Sequence, residues 1–162
     1  MNQRILAVPY LLLALFCIST ILGMPQPASA ADDDETVKVV YHADFADPRR
    51  FSAMLTSINN MVTYYQNEFI EYDVRIVFVA HGIRFVTDDK LDGTPFQEDV
   101  ELQERRENIK GRLSALRDVQ EVKLELCDIT RTGINLAEDN LHEGVETVPS
   151  GVVQIAELQR QG

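Results

Sequence analysis

The sequence predicts an α/β domain built on a mainly parallel sheet with helices on both faces. Two observations carry this. Four short β-type runs alternate with helical stretches in the order β-α-β-α-β-α-β-α, joined by short loops, and such alternation implies parallel strands with right-handed crossovers. The second run, Val74 to Ala80, is almost continuously apolar and β-branched, the pattern of a strand covered on both sides by helices. There is no internal repeat and no low-complexity segment.

The first thirty residues read as a secretory signal peptide rather than part of the fold. Met1 to Arg4 is a short basic segment, Ile5 to Leu22 is almost wholly apolar, and Ala28-Ser29-Ala30 supplies the small residues of a cleavage site. An uncleaved anchor is the rival reading, because the apolar run is about long enough to span a bilayer. Gly23, Pro25 and Pro27 ahead of the A-x-A triplet favour cleavage after Ala30 and a periplasmic or secreted protein. Lipidation at Cys17 is disfavoured by the bulky Phe16 before it.

Residues 31–36 form an acidic leader, and 37–162 are enough for one compact domain and too few for two. The whole chain carries a net charge of −11, and loss of Arg4 with the signal peptide makes the mature form one unit more negative. That balance argues against nucleic acid or an anionic membrane as partner. Cleavage also removes Cys17 and leaves Cys127 alone, so no internal disulfide forms. A single cysteine in an oxidising compartment is a buried inert thiol, an intermolecular bridge, or a thiol kept for chemistry.

Val37-Lys-Val-Val-Tyr41 is the expected first strand. Asp47-Pro48 opens a helix, with the carboxylate at the cap and proline at the first helical position. Phe51, Met54, Leu55, Ile58, Met61, Val62, Tyr65 and Phe69 then recur every three or four residues, giving a long helix with one apolar face. After the second strand, Thr87 to Pro95 is rich in Asp and Gly and reads as an exposed loop. Pro95 to Leu116 is charged and helical, with Leu102, Ile109, Leu113 and Leu116 on one side. Val122, Leu124 and Leu126 alternate with Lys123 and Glu125 as in a half-buried strand, a pattern compatible with a sheet edge, and a helix-like segment follows Cys127. Ile134, Leu136, Ala137 and Leu141 predict a short helix ending near Gly144. Glu146 to Val148 is a last strand, and Ser150 caps a terminal helix.

Three reactive side chains fall at the carboxyl edge of this sheet, where ligands of open α/β sheets bind. His42 follows the first strand, His81 the second, and Cys127 ends the third. Were the first strand central, in a 2-1-3 order, His42 would neighbour both others. A histidine able to protonate near Cys127 would raise its thiolate fraction, as would the amides of a following helix N-terminus, while Asp128 would act the other way. Isolated histidines at strand ends are also often incidental. One Cys and two His suit zinc or copper with an open position, although no close-spaced ligand pair supports a metal site. Asp88, Asp89 and Asp92 are loop carboxylates that solvent alone satisfies. Arg49, Arg84 and Arg131 lie near element ends, where they would meet an anionic ligand or, more simply, water. There is no G-x-G-x-x-G, Walker-type, G-x-S-x-G or C-x-x-C motif, which excludes the common dinucleotide, phosphate, serine-hydrolase and dithiol sites and leaves no cofactor expected.

Lys38-Val-Val-Tyr-His42, Ile58-Asn-Asn60, Val77-Phe-Val-Ala-His-Gly82, Leu124-Glu-Leu-Cys127 with Thr130, Val148-Pro-Ser-Gly151 and Leu158-Gln159 resemble, in order, the secreted branch of the DsrE/DsrF-like family. The resemblance spans nearly all of residues 31–162. It implies a flavodoxin-like three-layer sandwich with a four- to five-stranded sheet and assembly into trimers or hexamers. It also implies a cysteine that carries sulfur as a persulfide, a role that maps onto Cys127; Gly82, Thr130 and Arg131 are the expected ligand-binding residues. Relatives often have Asn where this chain has Ile129. The leading expectation is therefore a sulfur-handling protein exchanging sulfur with a donor or acceptor protein, with Cys127, His81 and His42 as its reactive set. The alternatives are a binding module holding a metal or small anion through the same three residues, and an assembly subunit with an inert Cys127.

Overall fold

The structure, a computed structural model, describes residues 36–162. The expected signal peptide and most of the acidic leader lie outside the described residues. Strands β1 (Val37–Ala43), β2 (Tyr72–Phe78), β3 (Lys123–Cys127) and β4 (Val145–Val148) form one sheet in the order β1-β2-β3-β4, all parallel. Helices α1 (Pro48–Asn67), α2 (Val100–Gln120), α3 (Asp128–Gly133) and α4 (Gly151–Arg160) complete the chain, with 3₁₀ turns at Ala80–Phe85 and Glu138–Asn140. This is a flavodoxin-like three-layer α/β sandwich. No helix among the described residues is long and apolar enough to cross a membrane.

Each crossover steps to the next strand in the same direction, and right-handed crossovers taken that way keep α1 and α2 on one face. That face is apolar: Ala43, Val74, Ile76, Phe78, Leu124 and Leu126 of the sheet share a core with Phe51, Leu55, Ile58 and Val62 of α1 and Leu102, Ile109, Leu113 and Leu116 of α2. Phe51 stacks on Phe85 with ring centroids 4.1 Å apart. The opposite face is covered by α4, which touches β1, β2 and β3. It is largely polar, carrying Lys38, Asp73, Arg75, Lys123 and Glu125 in alternation with the core residues.

Several expectations are corrected. The first strand is an edge strand, and β2 lies between β1 and β3. The third strand is interior, not an edge: Glu125, which its alternation marks as exposed, is buried against Arg75 at 2.7 Å under α4. Asp47 caps α1 as expected, accepting from the Arg49 and Arg50 amides. Phe69, however, lies past the helix end with positive φ and is almost fully exposed. Helix α2 starts at Val100 rather than near Pro95, because Asp99 caps it by accepting from the Leu102 amide. The helix after Cys127 occupies Asp128–Gly133; the apolar residues from Ile134 to Leu141 lie in irregular chain broken by Asn135 at φ 57° and a 3₁₀ turn. Ser150 sits at the cap of α4 but makes no side-chain capping bond.

Candidate functional site

Cys127 is the last residue of β3 and the N-cap residue of α3. Two helices therefore begin at its side chain: α3 follows it directly, and α4 begins at Gly151, three residues past Val148, its register partner on β4. The close approach of α4 depends on glycine. A Cβ at Gly151 would stand 3.0 Å from the Cβ of Cys127 and 2.5 Å from Val79 Cγ2. Such distances leave no room for a side chain, so the α4 amide end reaches the sulfur only because none is there.

The thiol is 5% exposed. Burial pushes its pKa up, but the amides of Gly151 and Thr130, the Thr130 hydroxyl and the Ile129 amide pull it down, and the net result lies below the usual thiol value. The neutral thiol makes no regular capping hydrogen bond. The surrounding donors act on the anion, as unpaired N–H groups at helix starts do. The carboxylate of Asp128, which sequence alone sets against the thiolate, is paired with Arg131 at 2.6 Å.

Thr130 is held from the other side. Its Oγ1 accepts the Ala80 amide at 3.0 Å. Ala80 follows the extended Val79 and has φ 48°, a left-handed conformation that costs a non-glycine residue about 1 kcal/mol. The turn after β2 is pressed against β1: the Val79 amide donates to the Ala43 carbonyl at 2.9 Å, and a Cβ at Gly82 would collide with that oxygen. The turn therefore requires a glycine at position 82.

Neither histidine is among the groups that shift the Cys127 pKa, which are burial, the neighbouring backbone amides and the Thr130 hydroxyl. His42 is exposed on β1, in register with Val77, which is in register with Glu125, two residues short of the cysteine. Two strand spacings across and two residues along place it roughly 12 Å from Cys127 by backbone. His81 packs its ring edge to face with Phe96, centroids 5.3 Å apart, and its Nδ1 is buried without a hydrogen-bond partner. No group of three or more His, Cys, Asp or Glu among the described residues is arranged to hold a metal ion, so the His42, His81, Cys127 trio does not assemble as a ligand set.

Among the arginines, Arg131 bonds Asp128 and the Leu136 carbonyl, bracing α3. Arg84 is no surface residue: it is 4% exposed and pairs with Asp99, the α2 cap, at 2.9 Å. The functional residue that sequence reasoning missed is Gly151. Its signal, a glycine directly after a candidate cap serine at the start of a helix, was present in the sequence.

A family model described as the DsrE/DsrF-like family matches residues 28–162. Among solved structures, the chain is similar to a protein of unknown function, MTH1491, from Methanobacterium thermoautotrophicum, with a TM-score of 0.58 and 23% identity over 78% of this chain and 94% of that one. It is also similar to the YchN protein of E. coli, with a TM-score of 0.47 and 18% identity over 78% and 93% of the two chains. No curated protein matches the chain.

Proposed function

The chain belongs to the DsrE/DsrF-like family, and from that membership we propose that it is a periplasmic sulfur carrier in which Cys127 holds sulfane sulfur as a persulfide. The observation that carries the reading is the place of the one cysteine among the described residues, at the N-cap of α3 with the start of α4 packed against it at Gly151, where neighbouring backbone amides hold its pKa below the usual thiol value. A thiolate is the form that reacts, and this arrangement favours it without a histidine.

In the transfer step the Cys127 thiolate attacks the outer sulfur of a donor persulfide, R–S–SH. The Sγ–S bond forms, the donor S–S bond breaks, and its electron pair leaves with R–S⁻. The proton stays on the transferred sulfur, giving Cys127–S–SH, and no external oxidant or reductant is needed. Reversal onto an acceptor thiolate completes the relay.

The protein works outside the cytoplasm after cleavage at Ala30, in keeping with the composition of residues 1–30. It acts as a homo-oligomer that exchanges sulfur with a partner protein. The apolar side chains of Ile129, Val152 and Val153, each more than half exposed on α3 and α4 beside the thiol, supply contact surface for such encounters.

Intact-mass spectrometry of the native protein after exposure to polysulfide tests the carrier role. A thiol-reducible gain of about 32 Da, one sulfur atom, on the wild type and not on Cys127→Ala is the expected result. No adduct, together with no alkylation until the protein unfolds, would identify a buried inert thiol and end the reading.

A further inference from the structure

Helix α1 has no charged residue between Arg50 and Glu68, in a chain that is 25% charged. Its inner side accounts for part of this, since Phe51, Leu55, Ile58 and Val62 are buried in the core. Its outer side is different: Ala53, Ser57, Asn60, Tyr64 and Asn67 are all exposed and all uncharged. A helix face left to water ordinarily carries charge, and the neighbouring α2 does, with Glu104, Arg105 and Glu107 exposed. Depletion of charge on an exposed face is instead the compositional mark of the centre of a protein–protein contact.

The spacing points the same way. The five residues recur at intervals of four, three, four and three, the seam along which one helix packs on another. The hydroxyls along it are already engaged: Thr56 and Ser57 donate to carbonyls of α1 at 3.1 and 3.2 Å, and Thr56 accepts from Arg112 of α2 at 2.7 Å. Outward there remain small aliphatic surface, the Asn60 amide at the middle, and Tyr64, 58% exposed. Beside the seam, α1 and α2 leave a groove of about 420 Å³ lined by Leu55, Thr56, Ala115, Leu116 and the largely exposed Val119.

Resting on the homo-oligomer of the proposed function and not on its sulfur chemistry, we propose that α1 is the contact by which two copies of this chain associate, antiparallel about a two-fold axis through Asn60. Such a contact pairs each residue with the one equally far beyond the axis. Asn60 meets Asn60, each amide offering the other a donor and an acceptor. Asn67 falls on Ala53, and Tyr64 falls on Thr56 at the lip of the groove. Bulk in one half of the seam thus meets small residues in the other, whereas a parallel pair would set Tyr64 on Tyr64. Charge favours the same occupant: two chains of net charge −11 repel, so a self-contact needs a face that presents no carboxylate. Helix α1, with 20 residues, is about 30 Å long. With the adjoining edge of α2 the strip is roughly 20 Å wide, about 600 Å² on each copy and ~1,200 Å² in all, the lower end of a specific interface. It lies on the sheet face opposite α4, so the α4 end beside Cys127 stays open to a sulfur donor.

The test is analytical ultracentrifugation of the wild type, Asn60→Arg and Asn60→Glu, alone and mixed. Asn60 is exposed, so both variants keep the fold, which circular dichroism checks. Each variant sets like charges together on the axis and should self-associate at least tenfold more weakly than wild type. An equimolar mixture of the two should restore association, the cation of one facing the carboxylate of the other, and native mass spectrometry should find the mixed pair. A local packing role for Asn60 would give no such rescue. Variants that associate like wild type, weakened variants that mixing does not rescue, or an odd-numbered assembly would overturn the α1 contact. A wild type that stays monomeric at every concentration would overturn the homo-oligomer with it. The carrier role is judged separately, by polysulfide loading of Cys127, which Asn60→Arg should leave unchanged.

Discussion

Gly151 and Cys127 approach so closely that a Cβ added to the glycine would lie 3.0 Å from the Cβ of the cysteine. The start of α4 is thereby seated on the end of β3. Gly151→Ala should lower stability by about 1–3 kcal/mol, because the new methyl meets Val79 Cγ2 as well and the helix must move. The same displacement withdraws the Gly151 amide, so the alkylation midpoint of Cys127 should rise. Thermal denaturation and pH-dependent labelling would check the two effects together.

The depressed pKa of Cys127 predicts a linkage between pH and stability. The folded state favours the thiolate, so between the folded pKa and the unfolded value, about 8.5, the unfolded chain binds more protons. Stability from this group is fully present above the unfolded pKa and is lost as pH falls through the folded one. Urea unfolding across that range should show a rise with pH that Cys127→Ala lacks. Iodoacetamide labelling of the native protein should have its midpoint below that of the denatured chain.

The alternation of elements and the place of Cys127 were legible because they rest on local signals: the Asp47-Pro48 cap, the β-branched run of β2 and the strand ending at Cys127. Strand order was not, since no local residue records which way a crossover turns, and a 2-1-3 order would have put His42 beside the thiol. The extent of helix α3 was not legible for a different reason: it has no buried residue and hence no apolar period to mark where it ends. The amides of the helix that follows Cys127 were legible as thiolate donors, whereas the Gly151 amide was not, because its approach depends on how α4 packs on the end of β3.

The polar face under α4 makes a stability prediction. Arg75 bonds Glu125 at 2.7 Å and Asp73 at 2.8 Å, and Gln154 of α4 donates to the other Glu125 oxygen at 2.8 Å. Arg75→Met removes the cation that balances a carboxylate only 3% exposed. Because the Arg75 side chain is itself 23% exposed, the loss should be about 2 kcal/mol, below that of a fully buried pair. Double substitution with Glu125→Leu should recover part of it, since replacing both partners removes the stranded charge. Chemical denaturation of the three variants would measure the coupling.

His142 supplies the last prediction. Its amide donates to the Val86 carbonyl at 2.9 Å, and its Nε2 lies 3.1 Å from Asp88, whose other oxygen meets Lys110, fastening the β3–β4 connection to the loop before α2. Burial lowers the imidazole pKa, partly offset by Asp88, and Lys110 and Arg106 lower it further. The folded state thus favours neutral His142, and between its folded pKa and about 6.5 the unfolded chain binds the extra proton. This contribution is present above pH 6.5 and is lost on acidification toward the folded pKa. The Asp88 carboxyl, held below its usual range chiefly by Lys110, stays ionised throughout that window. His142→Gln should therefore flatten the fall in unfolding free energy as pH drops below about 6.5. A fall of equal steepness in the variant would show that other groups carry the acid sensitivity of this clasp.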